Sequence, residues 1–183
     1  MLNFGWAKMN SFEEKWLEMI NSARLMAAEQ GNETLRDFFE LKASNEKIRM
    51  DASKALLEHF FRAIGIKVKE GFKLEVQTYG GYRFQMRHAQ LTGFRVNVLF
   101  GLRRLSIEIG WTRLPKDGFM RQGALAYCRI THFGRPEYNS ELLLLNPQNP
   151  KWFTEKSNSP FGITDVMSHL NRLREKTKRW QMI

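Results

Sequence analysis

The sequence predicts an α+β fold: an antiparallel β-meander of about five or six strands, its apolar face covered by N-terminal helices and a C-terminal helix. Three observations predict it. Residues 1–64 place apolar side chains at helical spacing, residues 70–146 alternate apolar with polar side chains, and residues 163–180 return to helical spacing. Residues 147–162 form a long loop rich in Pro, Asn and Ser. We expect one domain over 1–183, because this length is typical of a single domain.

The helical part begins with a predicted cap at Ser11, which has the capping-box spacing to Glu14. Three apolar stripes follow: Phe12, Trp16, Ile20, Ala23 and Ala27; then Leu35, Phe38 and Phe39; then Ile48, Ala52, Ala55, Leu56 and Phe60. Gly31-Asn32 separates the first stripe from the second. Residues 34–64 fit one bent helix or two helices equally well. The final helix is predicted to start at a Thr164 cap and to bury Met167, Leu170 and Leu173.

Four segments alternate with the period of a half-buried strand. Their inward positions are Phe72, Leu74 and Val76; Tyr82, Phe84 and Met86; Phe94, Val96, Val98 and Phe100; and Leu105, Ile107, Ile109 and Trp111. Residues 124–132 and 141–145 are predicted as the fifth and sixth strands. Within the long loop, Trp152 and Phe153 are expected to pack against the domain.

Two hairpins are predicted from the requirement that facing residues share one side of the sheet. A Tyr79-Gly80-Gly81 turn would pair Val76 with Phe84, and a Gly101-Leu102 turn would pair Val98 with Leu105. This register places Arg95 opposite Glu108, as a cross-strand ion pair. It also places Lys73 opposite Arg87, and a further turn at residues 89–93 would place Arg87 opposite Arg95. An anionic ligand would relieve the repulsion between such facing cations.

The outer face of the sheet is therefore the predicted site, because phosphate contacts need a positive surface. The candidate residues for binding phosphate or another polyanion are Lys73, Arg83, Arg87, Arg95 and Arg129 on the sheet, and Arg172, Arg174, Lys176, Lys178 and Arg179 in the last helix. The alternative interpretation is an ordinary solvated surface, with the cations near the helix end stabilised by the helix dipole. Only Tyr127 and Tyr79 are expected as outward aromatic side chains for base stacking. Phe119 and Met120 could form an exposed anchor or fold onto the core.

The distribution of charge along the chain favours the same surface as the binding site. The chain has 29 basic and 19 acidic side chains, a formal charge of +10. Residues 1–64 hold 9 basic and 10 acidic side chains, so the positive excess belongs to the sheet, its loops and the last helix. The single cysteine excludes an internal disulfide. No apolar run could span a bilayer and no secretory signal is visible, so we expect a cytoplasmic protein with no membrane association.

The sequence contains none of the common nucleotide-binding or hydrolase motifs, and we expect neither a cofactor nor a metal. Cys128 and His132 lie four residues apart on one strand, about 13 Å, which is too far for a nucleophile–base pair. Cys128 is expected to be buried, and the four histidines to be structural. If the protein is an enzyme, which is the least favoured class, the candidates are His88, His132, Glu137 and Glu141.

Two binding functions therefore stay open. The first is binding of nucleic acid or another polyanion through the Arg-rich sheet face and the C-terminal helix. The second is a protein-interaction or assembly module, either a homo-oligomer or an adaptor. It would use the amphipathic N-terminal helices and the apolar residues before the predicted first cap, Leu2, Phe4 and Trp6.

Overall fold

The computed structural model describes residues 6–175 and confirms the α+β fold with an antiparallel meander. Its long helices and strands are α1 (Trp6–Glu29), α2 (Glu33–Lys69), β1 (Glu75–Met86), β2 (Ala89–Phe100), β3 (Arg103–Trp111), β4 (Ala126–His132), β5 (Ser140–Leu145), β6 (Lys151–Thr154) and α3 (Ile163–Arg172). Three short 3₁₀ turns cover Pro115–Asp117, Arg121–Gly123 and Pro136–Tyr138. The six strands lie in chain order, each antiparallel to the next.

The N-terminal helices differ from the sequence prediction at their ends. α1 already includes Ser11 in its interior, so Ser11 is not a cap. Residues 34–64 belong to one helix of 37 residues, which Asn32 caps by accepting a hydrogen bond from the Leu35 amide at 3.1 Å. The Ser44-Asn45 pair does not interrupt α2, because neither residue prevents helical backbone geometry.

The first predicted hairpin is wrong. Tyr79-Gly80-Gly81 is no turn; it lies inside β1, where a β-bulge between Gly80 and Tyr82 lets the strand continue beside β2. Gly81 has φ +61, and a left-handed glycine suits a bulge as well as a turn. The actual turn is Arg87-His88, with Met86 paired to Ala89.

This bulge also removes the predicted pairs of facing cations. Lys73 precedes β1, Arg87 lies in the turn, and the partner of Arg95 on β1 is Tyr79. The second predicted hairpin is confirmed: Val98 pairs with Leu105, and Arg95 lies opposite Glu108.

The C-terminal part differs in two places. Residues 147–162 were predicted as a loop throughout, but Lys151–Thr154 form β6 along β5. Trp152 is buried there and donates a hydrogen bond from Nε1 to the Ala52 carbonyl at 3.1 Å. The cap of α3 is Gly162, whose amide donates to Asp165 at 2.9 Å, and α3 ends at Arg172. The predicted extension to residue 180 runs into residues 176–183, which lie outside the described residues.

Two apolar clusters fill opposite sides of the sheet. The larger lies between the sheet and the helices, where Leu57 and Phe60 of α2 and Leu170 of α3 contact inward residues such as Ile107 and Cys128. The smaller lies on the other side and has as its buried members Phe84, Met86, Ala89, Leu91, Ala124, Tyr127 and Leu143. Met120 packs against both clusters, whereas Phe119 is 92% exposed.

A buried ion network fixes α1 and α2 to the end of β3. The Arg113 guanidinium donates to Glu13 at 2.6 Å and to Glu46 at 2.7 Å, and Trp111 Nε1 donates to Glu46 at 2.8 Å. Arg113 also lies over the Trp111 ring, with 4.0 Å from Cζ to the ring centroid. Burial raises the pKa of Glu13, and the attraction of Arg113 opposes that rise. Charged groups withdrawn from water in this way stabilise the fold only while each keeps its partner.

Candidate nucleic-acid interface

Half of the sheet surface opposite the helices is polar, and we call it the open face. Its members are Glu75, Gln77, Tyr79, Tyr82, Arg95, Asn97, Leu99, Arg104, Ser106, Glu108, Arg129, Thr131, Phe133 and Glu141. The register places them together, because paired residues of neighbouring strands share one side of a sheet. Arg95 lies between Tyr79 and Glu108, and Asn97 lies between Gln77 and Ser106.

The β1 bulge is what brings two tyrosines to this face. Tyr79 pairs with Arg95 before the bulge, and Tyr82 pairs with Gly93 after it. An unbroken strand would send residues three positions apart to opposite sides. The extra residue cancels that alternation, so both phenol rings border the same pocket.

A pocket of about 300 Å³ lies in the open face, lined by Gln77, Tyr79, Tyr82, Arg95, Asn97 and Arg104. Arg95 donates to the Tyr82 hydroxyl at 2.8 Å and to Asn97 Oδ1 at 3.0 Å. Asn97 Oδ1 also accepts from Ser106 Oγ at 2.9 Å. These contacts hold the Arg95 guanidinium in place with neutral partners, so its charge is not cancelled.

Arg104 is the second cation of the pocket. Its Cζ lies 5.0 Å from the centroid of the Phe133 ring, and its buried Nε has no hydrogen-bond partner. In the described part of the chain, neither Arg104 nor Arg95 has a carboxylate within ion-pair distance. Arg129 differs, because it forms an ion pair with Glu108 at 2.6 Å. Two guanidinium groups of the open face therefore remain available to an anion.

The structure does not bring the other predicted phosphate contacts together on one surface. Arg83 is exposed opposite Thr92, on the helix side of β1, and Lys73 and Arg87 are exposed outside the strands. Arg172 lies over the Tyr138 ring at 4.8 Å, and Arg174 lies over the Phe72 ring at 5.2 Å. The remaining three, Lys176, Lys178 and Arg179, lie outside the described residues. Of the seven predicted cations that the structure describes, Arg95 and Arg129 belong to the open face.

Several members of the open face were missed from sequence. Arg104 follows directly from the confirmed register, since the residue before inward Leu105 must point outward. Phe133 was missed because it lies one residue beyond β4, where its amide donates to the Arg104 carbonyl at 2.9 Å. Tyr127, expected outside, is buried in the smaller cluster, and burial raises the pKa of its hydroxyl.

The four candidate enzyme residues do not line one pocket. His88 lies in the β1–β2 turn, at the end of the sheet opposite His132. Glu137 forms an ion pair with Arg135 at 3.8 Å, and Glu141 lies opposite Arg129 on β5. Cys128 is buried as predicted, and burial raises the pKa of its thiol. Within residues 6–175, no group of three or more His, Cys, Asp and Glu side chains could hold a metal ion. No helix in that range has the length and apolar character to cross a bilayer.

Comparison with known proteins adds no functional information. No protein-family model, curated protein or solved structure matches this chain. The open face is therefore interpreted from its own geometry.

Proposed function

We propose that the protein binds single-stranded nucleic acid through the open face. One observation carries the proposal: the pocket combines two uncompensated guanidinium groups, Arg95 and Arg104, with the rings of Tyr79 and Tyr82, and no carboxylate lines it. Single strands are bound without strong sequence preference by cations that contact phosphates and by aromatic rings that stack on bases. Exposed Phe133 adds a third ring at the edge of the surface.

The geometry favours single strands over a duplex. A base-paired duplex keeps its bases stacked on one another, so flat aromatic platforms have little to contact. On the open face, Tyr79 is 44% exposed and Phe133 is 67% exposed, and Arg104 lies on β3, between the strands that carry the two rings. Exposed rings on separate strands suit an extended strand whose bases lie apart.

The test is fluorescence anisotropy with labelled twelve-nucleotide oligo(U) and oligo(dT) in 50 and 200 mM NaCl. We expect a micromolar Kd that rises about sevenfold over this salt range, if two phosphates are neutralised at a slope of about 0.7 each. Replacing Arg95 and Arg104 together with glutamine should weaken binding at least tenfold and flatten the salt dependence. The matched control replaces two exposed lysines away from the open face, Lys69→Gln and Lys116→Gln, and should change the Kd less than twofold. No binding at 50 mM NaCl, or equal loss in both double variants, would contradict the proposal.

A second candidate function, self-association, rests on a different surface. The helical tip, residues 18–41, joins the end of α1 to the start of α2 and lies beyond the main cluster. α2 buries no residue before Glu46, and α1 buries only Ile20 and Ala27 in the tip. Its apolar side chains that are exposed are Met19, Leu25, Met26, Leu35, Phe38 and Leu41. Leu2 and Phe4, predicted to contribute to such a surface, lie outside the described residues.

We propose that the helical tip pairs with the same tip of a second copy. Six exposed apolar side chains within 24 residues are more than scattered surface positions need, exposed apolar patches mark association sites, and most oligomers are symmetric homo-oligomers. Light scattering coupled to size exclusion at 100 μM should give twice the chain mass of 21.6 kDa. Phe38→Glu with Leu41→Lys should yield a monomer, whereas Ile66→Glu, an exposed apolar position outside the tip, should leave the dimer intact. A wild-type monomer at that concentration would exclude this proposal.

A further inference from the structure

Two buried histidines and a serine form a hydrogen-bonded chain on the helix side of the sheet. His132 Nε2 lies 2.9 Å from His169 Nδ1, and His169 Nε2 lies 3.2 Å from Ser140 Oγ. Only 5% of His132 and 3% of His169 are exposed. This order, hydroxyl, imidazole and orienting group, is the arrangement that activates a serine nucleophile.

Three elements hold the chain in place. Ser140 begins β5 opposite Ile130, and His132 ends β4, where its backbone amide donates to Asn139 Oδ1 at 2.8 Å. His169 is presented by α3, which is anchored through Val166 and Leu170 in the main cluster. Because all three side chains sit on packed strands or a helix, their mutual distances are fixed by the core.

Both imidazoles are neutral at pH 7. Burial lowers the pKa of His132 to about 4, with Arg172 and Arg135 adding to the effect and Glu137 and Glu175 opposing it. Burial, with His132 and Arg172, lowers the pKa of His169 to about 3. Two neutral rings sharing one hydrogen bond need one donor and one acceptor. When His169 donates from Nδ1, its Nε2 lone pair is free to accept the Ser140 proton.

The serine is reached from solvent. Ser140 lines a cavity of about 840 Å³ between β5, β6 and the segment that follows β6, together with Asn139, Glu141, Thr154, Lys156 and Ser157. Arg121 and Glu155 also line it and neutralise each other as an ion pair. The cavity is large enough for a small acyl compound. It shares no lining residue with the pocket of Arg95 and Arg104.

We propose that Ser140 is a nucleophile activated by His169, and that the protein cleaves small carboxylic esters. Ser140 Oγ forms a bond to the ester carbonyl carbon while its proton passes to His169 Nε2. The carbon–oxygen bond to the leaving alcohol then breaks, and His169 returns the proton to that oxygen. Water attacks the acyl-serine by the same route, releasing the carboxylic acid and restoring Ser140. His132 is a positioning residue: by accepting from His169 Nδ1 it fixes the ring orientation and the tautomer in which His169 Nε2 can take the Ser140 proton.

The decisive experiment is covalent labelling with a fluorophosphonate ester, read by intact mass and by peptide mapping. We expect one adduct per chain on Ser140, and an initial burst of p-nitrophenol from p-nitrophenyl acetate. Ser140→Ala and His169→Gln should abolish the adduct. Ser157→Ala changes another serine of the same cavity and should label like the wild type.

The role of His132 is tested by rescue. His132→Leu should slow labelling at least tenfold, because no acceptor remains for His169 Nδ1, and His132→Gln should recover part of that loss. Circular dichroism melting shows that each variant is folded before it is compared. Absence of an adduct on folded wild-type protein, an adduct on a different residue, or equal labelling of Ser140→Ala would overturn the proposal. None of these outcomes depends on nucleic-acid binding.

Discussion

Replacing Arg113 with methionine is expected to lower the free energy of unfolding by about 3–5 kcal/mol, the usual cost of removing one partner from a buried ion pair. Methionine fills much of the space but removes the ion-pair partner that Glu13 has among residues 6–175, and it leaves Glu46 with Arg49. Both carboxylates are buried, so the charge can be relieved only by protonation or by water entering the core. Urea denaturation followed by tryptophan fluorescence measures the change.

The matched control is Arg36→Met, which removes an exposed ion pair to Asp37. Exposed ion pairs contribute little to stability because water screens them, so this variant should remain near wild type. Its unfolding midpoint reports any general effect of losing a positive charge. A loss below about 1 kcal/mol in Arg113→Met would mean that the buried network adds little to stability.

Replacing Gly93 with alanine should cost about 3 kcal/mol, at the upper end of ordinary overpacking effects. A Cβ on Gly93 would stand 2.1 Å from the Ile109 carbonyl oxygen and 2.8 Å from the Gly110 Cα. Both are backbone atoms of β3, so no side-chain rotation can relieve the overlap. β2 and β3 would have to separate at the centre of the sheet, and the thermal midpoint should fall accordingly.

Gly65→Ala is the control for this prediction and has the opposite expected sign. Gly65 lies inside α2, and a Cβ there meets nothing within 4 Å. Alanine should stabilise the helix by about 0.5–1 kcal/mol, because it reduces the conformational freedom of the unfolded chain. Equal effects of the two substitutions would show that the close contact between β2 and β3 does not require glycine at position 93.

The sequence pattern predicted which segments are strands better than it predicted their connection. The alternation around Phe84 is correct, but two segments that read as a hairpin are one bulged strand. Tyr82, Phe84 and Met86, predicted to face the helices, therefore lie on the opposite side of the sheet. Gly80-Gly81 satisfies the requirements of a turn and of a bulge, and only the long-range pairing with β2 distinguishes them. The Gly101-Leu102 turn was predictable because both of its strands have an uninterrupted alternation.

The candidate sites could likewise be predicted only where local strand register determines them. Arg95 and its position opposite Glu108 follow from local register, and so does Arg104. The partner of Glu108 does not, since Arg129 arrives from a strand 21 residues away and takes the ion pair predicted for Arg95. The contact between His132 and His169 joins residues 37 apart on a strand and a helix, and no spacing pattern indicates it.

The bulge in β1 also bears on how readily this edge of the sheet could pair with another molecule. β1 is the outer strand of the sheet and twelve residues long, so its free backbone groups could pair with another molecule. The irregularity at Gly80–Tyr82 interrupts that edge near its middle, and exposed Arg83 adds a charge just beyond it. Charges and bulges on an edge strand oppose edge-to-edge pairing of sheets, which is a route to aggregation. Arg83, predicted as a phosphate contact, therefore lies where an exposed charge opposes edge-to-edge pairing.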